Sequence, residues 1–387
     1  MPKTLIRITT VPLAFKVLLA GQPKFMSENG FNVIMISADG KEVEDLKKQE
    51  GCEHIIVPMT RSITPLRDIV SFFKLRRVIK TYKPDIVHTH TPKAGLLGML
   101  AARSLGVKIR IHTVGGLPLI IETGFKRWLL MLTEKLTYFG ATEVWPNSRS
   151  MMNFIIDNKL ANAAKLAVID NGSTNGIDFK KFSKQTLNQE IKHKIKSSLP
   201  QSEGLKILCV GRMVKDKGIE ELVNVFEKLQ RQHQLQLILA GPFEQNLDPL
   251  SAQTLDIIIN NPAITHISWS DSIEYYMALA DIFVHPSHRE GFPNVILQAG
   301  AMQLPVICSN IPGNADIIKD ERTGFMFAVK NEDDLYTKLK FVIENKESTE
   351  KISQSLFEEV TQLYSRKRIH EVILNNYKRL LQQHGIK

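Results

Sequence analysis

The chain has 387 residues, which is long for one hydrophobic core and comfortable for two domains. Its composition is that of an ordinary globular protein, and no apolar run is long enough to span a bilayer, which argues against disordered and membrane-spanning classes. The net charge of +10 is uneven, because residues 1–180 contain 25 basic and 15 acidic residues, whereas residues 181–387 contain 25 of each. A one-sided basic domain predicts an anionic partner, either nucleic acid or a membrane surface, although a solvated basic face is common.

The cysteines and the first residues indicate the compartment. Cys209 and Cys308 lie in apolar runs of strand length, and the three cysteines have no disulfide or metal spacing. They therefore predict buried thiols in a reducing compartment. The N-terminal residues begin a strand and lack the apolar core of a signal peptide, so the sequence predicts a cytoplasmic protein.

Strand-like and helix-like segments alternate along most of the chain. Helical spacing, for example, links Leu66, Ile69, Val70 and Phe73. The alternation pauses in a polar stretch near residue 190 and then restarts, which predicts an α/β fold with two doubly wound parallel sheets. The predicted divisions are an N-terminal domain over 1–180, a linker over 181–204, a C-terminal domain over 205–365, and a C-terminal helix within 366–387 that packs back on the N-terminal domain.

The most informative stretch surrounds Glu290. A buried strand precedes it, and a helix is expected to begin near Pro293, because proline suits the first helical position. Glu290 and Gly291 then lie in a strand-to-helix connection, where ligands bind in open α/β sheets. Asn294 and Gln298 are four residues apart and share a helix face. One carboxylate and two amides suit a polyol; the alternative, of about equal weight, is a capped helix with a surface glutamate.

Three cations lie just before a second helix, which begins near Gly218. Arg212, Lys215 and Lys217 oppose the positive end of the helix dipole, a cost that a bound anion would offset. A forked guanidinium and a point charge suit a diphosphate, and solvated loop charges are the alternative. No two aspartates are two residues apart, so the Asp-x-Asp motif for metal–diphosphate binding is absent, and the sequence predicts no metal.

Three histidines form another candidate site. His88 and His90 share a strand face, and with His112 they would make a three-histidine zinc site, which is disfavoured because no partner carboxylate is evident. His112 ends a predicted strand before Gly115 and Gly116, where the backbone can approach a ligand closely. We therefore predict that His112 contacts a ligand hydroxyl or a transition state, while a structural role is as plausible for His88.

Large apolar residues lie beside basic ones between Gly116 and residue 130. Phe125 and Trp128 accompany Lys126 and Arg127, a mixture that is typical of interfacial membrane contact. Ordinary core packing of a helix is the alternative.

Four short motifs follow one another along the chain. They are Asn171-Gly172…Gly176-Ile177-Asp178, Gly211-Arg212…Lys217-Gly218, Pro286-Ser287…Glu290-Gly291-Phe292-Pro293, and Ile311-Pro312-Gly313-Asn314-Ala315-Asp316…Thr323-Gly324. In this order and spacing they resemble the family 4 glycosyltransferases with the GT-B fold, over nearly the full length. The resemblance implies two facing Rossmann-like domains with the active site in the cleft. It also implies retaining transfer from a nucleotide-diphosphate sugar, here expected to be a UDP-sugar, without metal or cofactor.

The resemblance also assigns roles to residues. It implies that His112 and Glu290 are catalytic. The residues implied to bind the nucleotide sugar are Gly211, Arg212, Lys217, Gly241, Glu290, Gly291, Phe292, Pro293, Asn294 and Gln298. Acceptor binding is expected at His90, Gly115 and Gly116. One departure is Gln298, which stands where the family has a second glutamate that contacts ribose; its amide can still bond hydroxyls, without charge.

Within the family, the basic first domain resembles that of members that act on polyprenyl-diphosphate-linked sugars at the cytoplasmic membrane face. The expected role is bacterial capsule, O-antigen or related glycan biosynthesis, peripheral on the anionic inner surface and without a nucleic-acid partner. Two alternatives stay open: a sugar-nucleotide epimerase of the same fold, and a catalytically weak nucleotide- or glycan-binding protein, which Gln298 motivates.

Overall fold

A computed structural model of the protein describes residues 2–62, 64–120, 122–200, 203–244 and 248–386. Ile121, in the predicted interfacial stretch, and residues 201–202, in the predicted linker, lie outside the described residues. The chain divides into two compact units. The first contains Met1–Asn175 and Arg366–Lys387, and the second contains Gly176–Ser365.

The first unit is built on one parallel sheet. Its strands are β1 (Lys3–Ile8), β2 (Phe31–Ser37), β3 (Glu53–Ile56), β4 (Ile86–Thr89), β5 (Ile109–Val114) and β6 (Glu143–Pro146). The helices between them are α1 (Pro12–Leu18), α2 (Gln22–Glu28), α3 (Val43–Glu50), α4 (Pro65–Tyr82), α5 (Pro92–Ser104) and α6 (Gly124–Gly140), and α7 (Arg149–Asp157) follows β6. The strand order is β3-β2-β1-β4-β5-β6, so the direction of strand addition reverses between β1 and β4.

The second unit repeats this architecture. Its helices are α8 (Gln189–Ser198), α9 (Ile219–Leu229), α10 (Ala252–Asn260), α11 (Ile273–Leu279), α12 (Asn294–Ala301), α13 (Pro312–Ala315), α14 (Glu332–Glu344) and α15 (Lys346–Leu363). Its strands are β7 (Leu205–Val210), β8 (Leu235–Ala240), β9 (Ile264–Ile267), β10 (Ile282–His285), β11 (Val306–Ser309) and β12 (Phe325–Phe327). The order is β12-β11-β10-β7-β8-β9, all parallel, and the reversal lies between β7 and β10. The prediction of two doubly wound α/β sheets is confirmed.

The polar stretch 181–204, predicted as a linker, lies inside the second unit. It contains α8, whose N-terminus is capped by the Asn188 side chain. Leu187 and Leu199, at either end of the helix, are buried in the core of this unit. The boundary between the units is at residues 175 and 176. Most lysines of the stretch are exposed, and the polar residues obscure the four-residue spacing of Leu187, Ile191, Ile195 and Leu199.

The last helix, α16 (Arg366–Gln383), belongs to the first unit. Ile369, Ile373 and Tyr377 are buried against strand residues such as Leu5. The Tyr377 hydroxyl also forms a 2.5 Å hydrogen bond with His88 Nδ1 in β4. Helix α16 therefore covers part of one face of the first sheet.

Helix α4 lies where the helical spacing predicted a helix, but the apolar residues that gave this spacing are on its exposed face. The spacing of Leu66, Ile69 and Phe73 suits a helix, yet all three side chains are exposed. The face that packs on the sheet instead carries Leu75 and Ile79. Apolar residues occur on both faces of this helix, so their spacing alone does not identify the buried one.

Candidate active site

Two loops of the second unit meet at the point where its strand order reverses. One follows β7 and leads into α9, and the other follows β10 and leads into α12. Gly218, which precedes α9, has φ +67°, and a Cβ there would lie 2.1 Å from the carbonyl oxygen of Pro286. Only glycine permits both this backbone conformation and this close approach. Such a reversal point is where open α/β sheets bind ligands.

Glu290 and Lys217 form an ion pair between these loops. Lys217 Nζ donates to Glu290 Oε1 at 2.5 Å, and each side chain is only 17% exposed. His285, the last residue of β10, lies with Nε2 3.1 Å from the same oxygen. An ionised carboxylate only accepts hydrogen bonds, so His285 donates through Nε2. Both contacts use Oε1, which, among the described residues, leaves Oε2 for donors of a ligand.

The protonation state of Glu290 limits its chemistry. Burial by itself would raise the pKa of this carboxyl group, but the Lys217 charge and the His285 hydrogen bond outweigh burial and hold the pKa well below its usual range. Glu290 is therefore ionised at neutral pH. Its carboxylate can accept hydrogen bonds from sugar hydroxyls or stabilise positive charge, and it cannot serve as a general acid.

The Glu290 loop is also held by the following strand-to-helix connection. A Cβ on Gly313, in α13, would lie 2.5 Å from the carbonyl oxygen of Glu290. The Ser309 hydroxyl donates to the carbonyl oxygen of Ser287, and Asn314 is fully buried and donates to the carbonyl oxygen of Ser309 at 2.9 Å. These contacts fix the backbone on which Glu290 is presented.

Arg212 has a carboxylate partner of its own. Its Nη1 lies 2.6 Å from Oε2 of Glu244, and these side chains are 36% and 24% exposed. Gly241 brings the two connections together, since a Cβ at this position would lie 1.7 Å from the carbonyl oxygen of Gly211. The guanidinium therefore has an anionic partner already, and a ligand phosphate would compete with Glu244 for it.

The residues after Glu290 divide between core and surface. Phe292 and Pro293 are buried, and the Phe292 ring packs 5.7 Å from that of Tyr364. Asn294 and Gln298 are half-buried in α12, where their spacing puts them on one helix face. Phe292 and Pro293 thus shape the loop, whereas the two amides remain accessible to a ligand.

His112 is more deeply placed in the first unit than its sequence position suggested. It does not end a strand, because β5 continues to Val114. The side chain is 2% exposed, its Nδ1 lies 2.8 Å from the Thr89 hydroxyl, and its ring fills the space that a Cβ on Gly95 would occupy. Burial lowers the pKa of His112 to about 4, so the imidazole is neutral at pH 7.

His88 and His90 lie on the opposite face of the sheet from His112. The register aligns Thr89 with His112, and His88 Nε2 instead bonds the Thr113 hydroxyl at 2.7 Å. The three imidazoles therefore cannot converge on one metal ion. Among the described residues, no cluster of three or more histidine, cysteine or acidic side chains has the geometry of a metal site.

His90 has a buried cation as its partner. Arg7 Nη2 lies 2.7 Å from His90 Nε2, and both side chains are at most 5% exposed. Gly115 is exposed, and no atom of the described residues lies within 4 Å of a Cβ built on Gly116. Of the three predicted acceptor residues, the two glycines therefore offer open backbone, while His90 is enclosed.

Sequence reasoning missed His285, Glu244 and two further side-chain pairs at this edge of the second sheet. Arg289 pairs with Asp216 at 2.7 Å, and His288 lies 2.7 Å from Glu221. The position of His285, directly before the Glu290 loop, was a usable signal. Glu244 had none, because its partner is 32 residues away in the sequence.

The sequence matches two protein families along its length. Residues 25–172 match the family described as glycosyl transferase 4-like domain, and residues 190–358 match glycosyl transferases group 1. The chain is 34% identical to the capsular polysaccharide biosynthesis glycosyltransferase CapM of Staphylococcus aureus, over 95% of this chain and 94% of CapM. It is 26% identical to the UDP-Gal:alpha-D-GlcNAc-diphosphoundecaprenol alpha-1,3-galactosyltransferase of Escherichia coli, over 82% and 81% of the two chains.

A solved structure extends the similarity to the fold. Alr3699/HepE of Anabaena, in complex with UDP and glucose, has a TM-score of 0.80 and 15% identity, with 97% of this chain and 100% of the other covered. That identity supports the fold alone, which is GT-B. The match to CapM along almost the whole of both chains decides the family. The chain belongs to the group 1 glycosyltransferases, in agreement with the resemblance seen in its motifs.

Proposed function

We propose that the protein transfers a sugar, with retention of anomeric configuration, from a UDP-sugar to a polyprenyl-diphosphate-linked saccharide during capsule or other surface-polysaccharide synthesis. The observation that carries this proposal is the group formed by Glu290, Lys217 and His285 at the strand reversal of the second unit. The names of CapM and of the E. coli galactosyltransferase support the pathway and the acceptor class. HepE in complex with UDP and glucose supports the donor class.

In the proposed mechanism, the acceptor hydroxyl attacks the anomeric carbon on the face from which the diphosphate departs. The new C–O bond forms as the bond to the diphosphate breaks, and the hydroxyl proton passes to a departing phosphate oxygen. Arg212 and Lys217 neutralise the leaving diphosphate, and ionised Glu290 holds the sugar hydroxyls. The His112 ring is neutral and enclosed, so His112 orients the sugar through its backbone carbonyl.

The stereochemistry of the product tests this mechanism. The full-length protein is incubated with a panel of nucleotide sugars and a polyprenyl-diphosphate-linked saccharide, and the new linkage is assigned by NMR. We expect the configuration of the donor to be retained. Inversion would refute the mechanism, conversion of the donor sugar without transfer would support the epimerase alternative, and donor binding without turnover would support the weak-binding alternative.

The Arg212–Glu244 pair predicts opposite effects from its two partners. Arg212→Ala should weaken binding of UDP about tenfold or more, because a charge-assisted phosphate contact is lost. Glu244→Gln should tighten it about two- to fivefold, because the phosphate no longer displaces a carboxylate from a partly exposed pair. Calorimetry with UDP measures both. Unchanged affinity in Arg212→Ala, with the fold intact by circular dichroism, would remove Arg212 from the diphosphate site.

Metal independence is a further prediction. The sequence has no Asp-x-Asp motif, and two basic side chains at a helix N-terminus can neutralise the diphosphate instead. We expect full transfer activity in excess EDTA. Loss of activity in EDTA that magnesium or manganese restores would contradict this prediction.

A further inference from the structure

Exposed apolar side chains form two stripes on the first unit. The α4 stripe consists of Leu66, Ile69, Val70 and Phe73. The α6 stripe consists of Phe125, Trp128, Leu132, Leu136 and Phe139. Successive members are mostly three or four residues apart, so each stripe follows one face of its helix. Their exposed fractions reach 81% at Leu66 and 75% at Phe125, which is unusual for side chains of this size grouped together.

The two helices that carry the stripes belong to one layer. Helix α5 packs against both α4 and α6. The inner sides of the three helices contribute Leu75, Leu97 and Tyr138 to a single core cluster, so all three cover the same face of the first sheet. The stripes therefore lie on the outer surface of one helical layer, which we call the α4–α6 face.

The basic charge of the chain is concentrated on the same layer. Helices α4, α5 and α6 contain 10 lysines and arginines and 2 acidic residues, a net charge of +8, compared with +10 for the whole chain. Of the two acidic side chains on the helices, Asp68 offsets one lysine and Glu134 is partly protonated at pH 7. Asp68 is paired with Lys93 at 2.6 Å, and burial raises the pKa of Glu134 to about 7. No described helix is both long and apolar enough to cross a bilayer.

We infer that the α4–α6 face docks on an anionic lipid bilayer, with both stripes in the boundary between headgroups and acyl chains. Apolar side chains flanked by lysine and arginine match a surface that offers hydrocarbon beneath a layer of negative charge. Long basic side chains extend to headgroup phosphates while their stems cover apolar surface. A second copy of the chain is a poor occupant of this face, because two such faces carry the same charge and repel each other.

The docking also explains access to a lipid-linked acceptor, a step that rests on the proposed function. Helices α4 and α6 begin after the carboxyl ends of β3 and β5, so Leu66 and Phe125, in their first turns, lie toward that edge of the sheet. The open backbone of Gly115 and Gly116 follows β5 at the same edge. A diphosphate in the headgroup layer is therefore near the predicted acceptor residues when this face lies on the bilayer.

Vesicle co-sedimentation of the full-length protein tests the docking. Phosphatidylcholine vesicles with and without phosphatidylglycerol are compared at low and high salt. We expect binding only to the anionic vesicles, and weaker binding as salt screens the charges. Lys74→Gln with Arg77→Gln should lower partitioning about fivefold per charge removed. Phe73→Ser with Trp128→Ser should lower it about tenfold.

The control is a pair of exposed apolar residues on the second unit, Ile259 and Trp269, which are 75% and 52% exposed. Ile259→Ser with Trp269→Ser should bind vesicles like the wild type. Equal binding by the Phe73/Trp128 variant and the wild type overturns the inference, as does equal binding to neutral and anionic vesicles. A wild-type dimer in sedimentation velocity that this variant abolishes would show instead that the face binds a second copy.

Transfer to a short-chain, water-soluble acceptor separates this inference from the proposed function. If the docking is correct, the Phe73/Trp128 variant loses vesicle binding but keeps this transfer. If the wild type binds anionic vesicles as expected but transfers no sugar, the proposed function fails and the docking surface stands.

Discussion

Glu290→Gln is expected to lower turnover about a hundredfold or more while changing the affinity for UDP only slightly. The amide keeps the shape of the side chain but cannot supply the charge that balances Lys217, 2.5 Å away, and that holds the sugar hydroxyls in the proposed mechanism. Because these contacts involve the sugar, the loss should appear in kcat rather than in UDP binding. Steady-state kinetics with calorimetry for UDP separates the two quantities.

A matched control for Glu290 is available on the first turn of α9. Glu221 is also partly buried and lies 2.7 Å from His288, so Glu221→Gln removes a comparable charge from the same edge of the sheet. It should keep turnover within a few-fold of the wild type. His112→Ala serves as a companion variant, and we expect it to lower turnover more than UDP affinity. Wild-type turnover in Glu290→Gln would remove the carboxylate from the mechanism.

Lowering the pH from 7 to 5 is expected to destabilise the first unit by several kcal/mol. Five of its histidines are buried, and burial, the largest cause in each, lowers their pKa values below the usual 6.5. They are His54 and His112, each to about 4, His370, to about 3, and His88 and His90, both well below 6.5. Unfolding lets these side chains take up protons below pH 6.5. The free energy of unfolding is therefore highest above pH 6.5 and decreases as the pH falls toward 4.

The size of this effect follows from single residues. A histidine with a pKa of about 4 in the folded state and 6.5 in the unfolded state contributes about 2 kcal/mol of destabilisation at pH 5. The variant with Trp128→Phe and Trp269→Phe keeps buried Trp145 as its one tryptophan, and its fluorescence reports urea unfolding of the first unit. Adding His54→Gln should reduce the slope of stability against pH. Equal unfolding free energies at pH 7 and pH 5 would contradict this account.

The fold was predictable because its signals are local. Strand-length apolar runs and helical spacing repeat through the chain, and parallel doubly wound sheets follow from their alternation. The departure from the predicted organisation concerns the stretch 181–204, which belongs to the second unit. There the many polar residues obscure the four-residue spacing of Leu187, Ile191, Ile195 and Leu199. In α4 the spacing located the helix, whereas the face that is buried follows only from tertiary packing.

The candidate site was only partly predictable, because it is assembled from distant residues. Motif and dipole arguments found Lys217 and Glu290 separately, but their ion pair joins positions 73 residues apart. The partner of Arg212 is likewise fixed by tertiary contact. His112 was predicted to lie at the exposed end of a strand, because the end of that strand was placed too early. The strand continues to Val114, and the imidazole lies in the interior, where Gly95 makes room for it.

The return of α16 to the first unit affects the order in which the protein folds during synthesis. The second unit is complete in the nascent chain once Ser365 has left the ribosome. The first unit still lacks α16 at that point, so Leu5 and Arg7 have not met Ile373 and Tyr377. The part of the chain made first is therefore the last to complete its core, and until then the apolar side chains that α16 covers stay exposed.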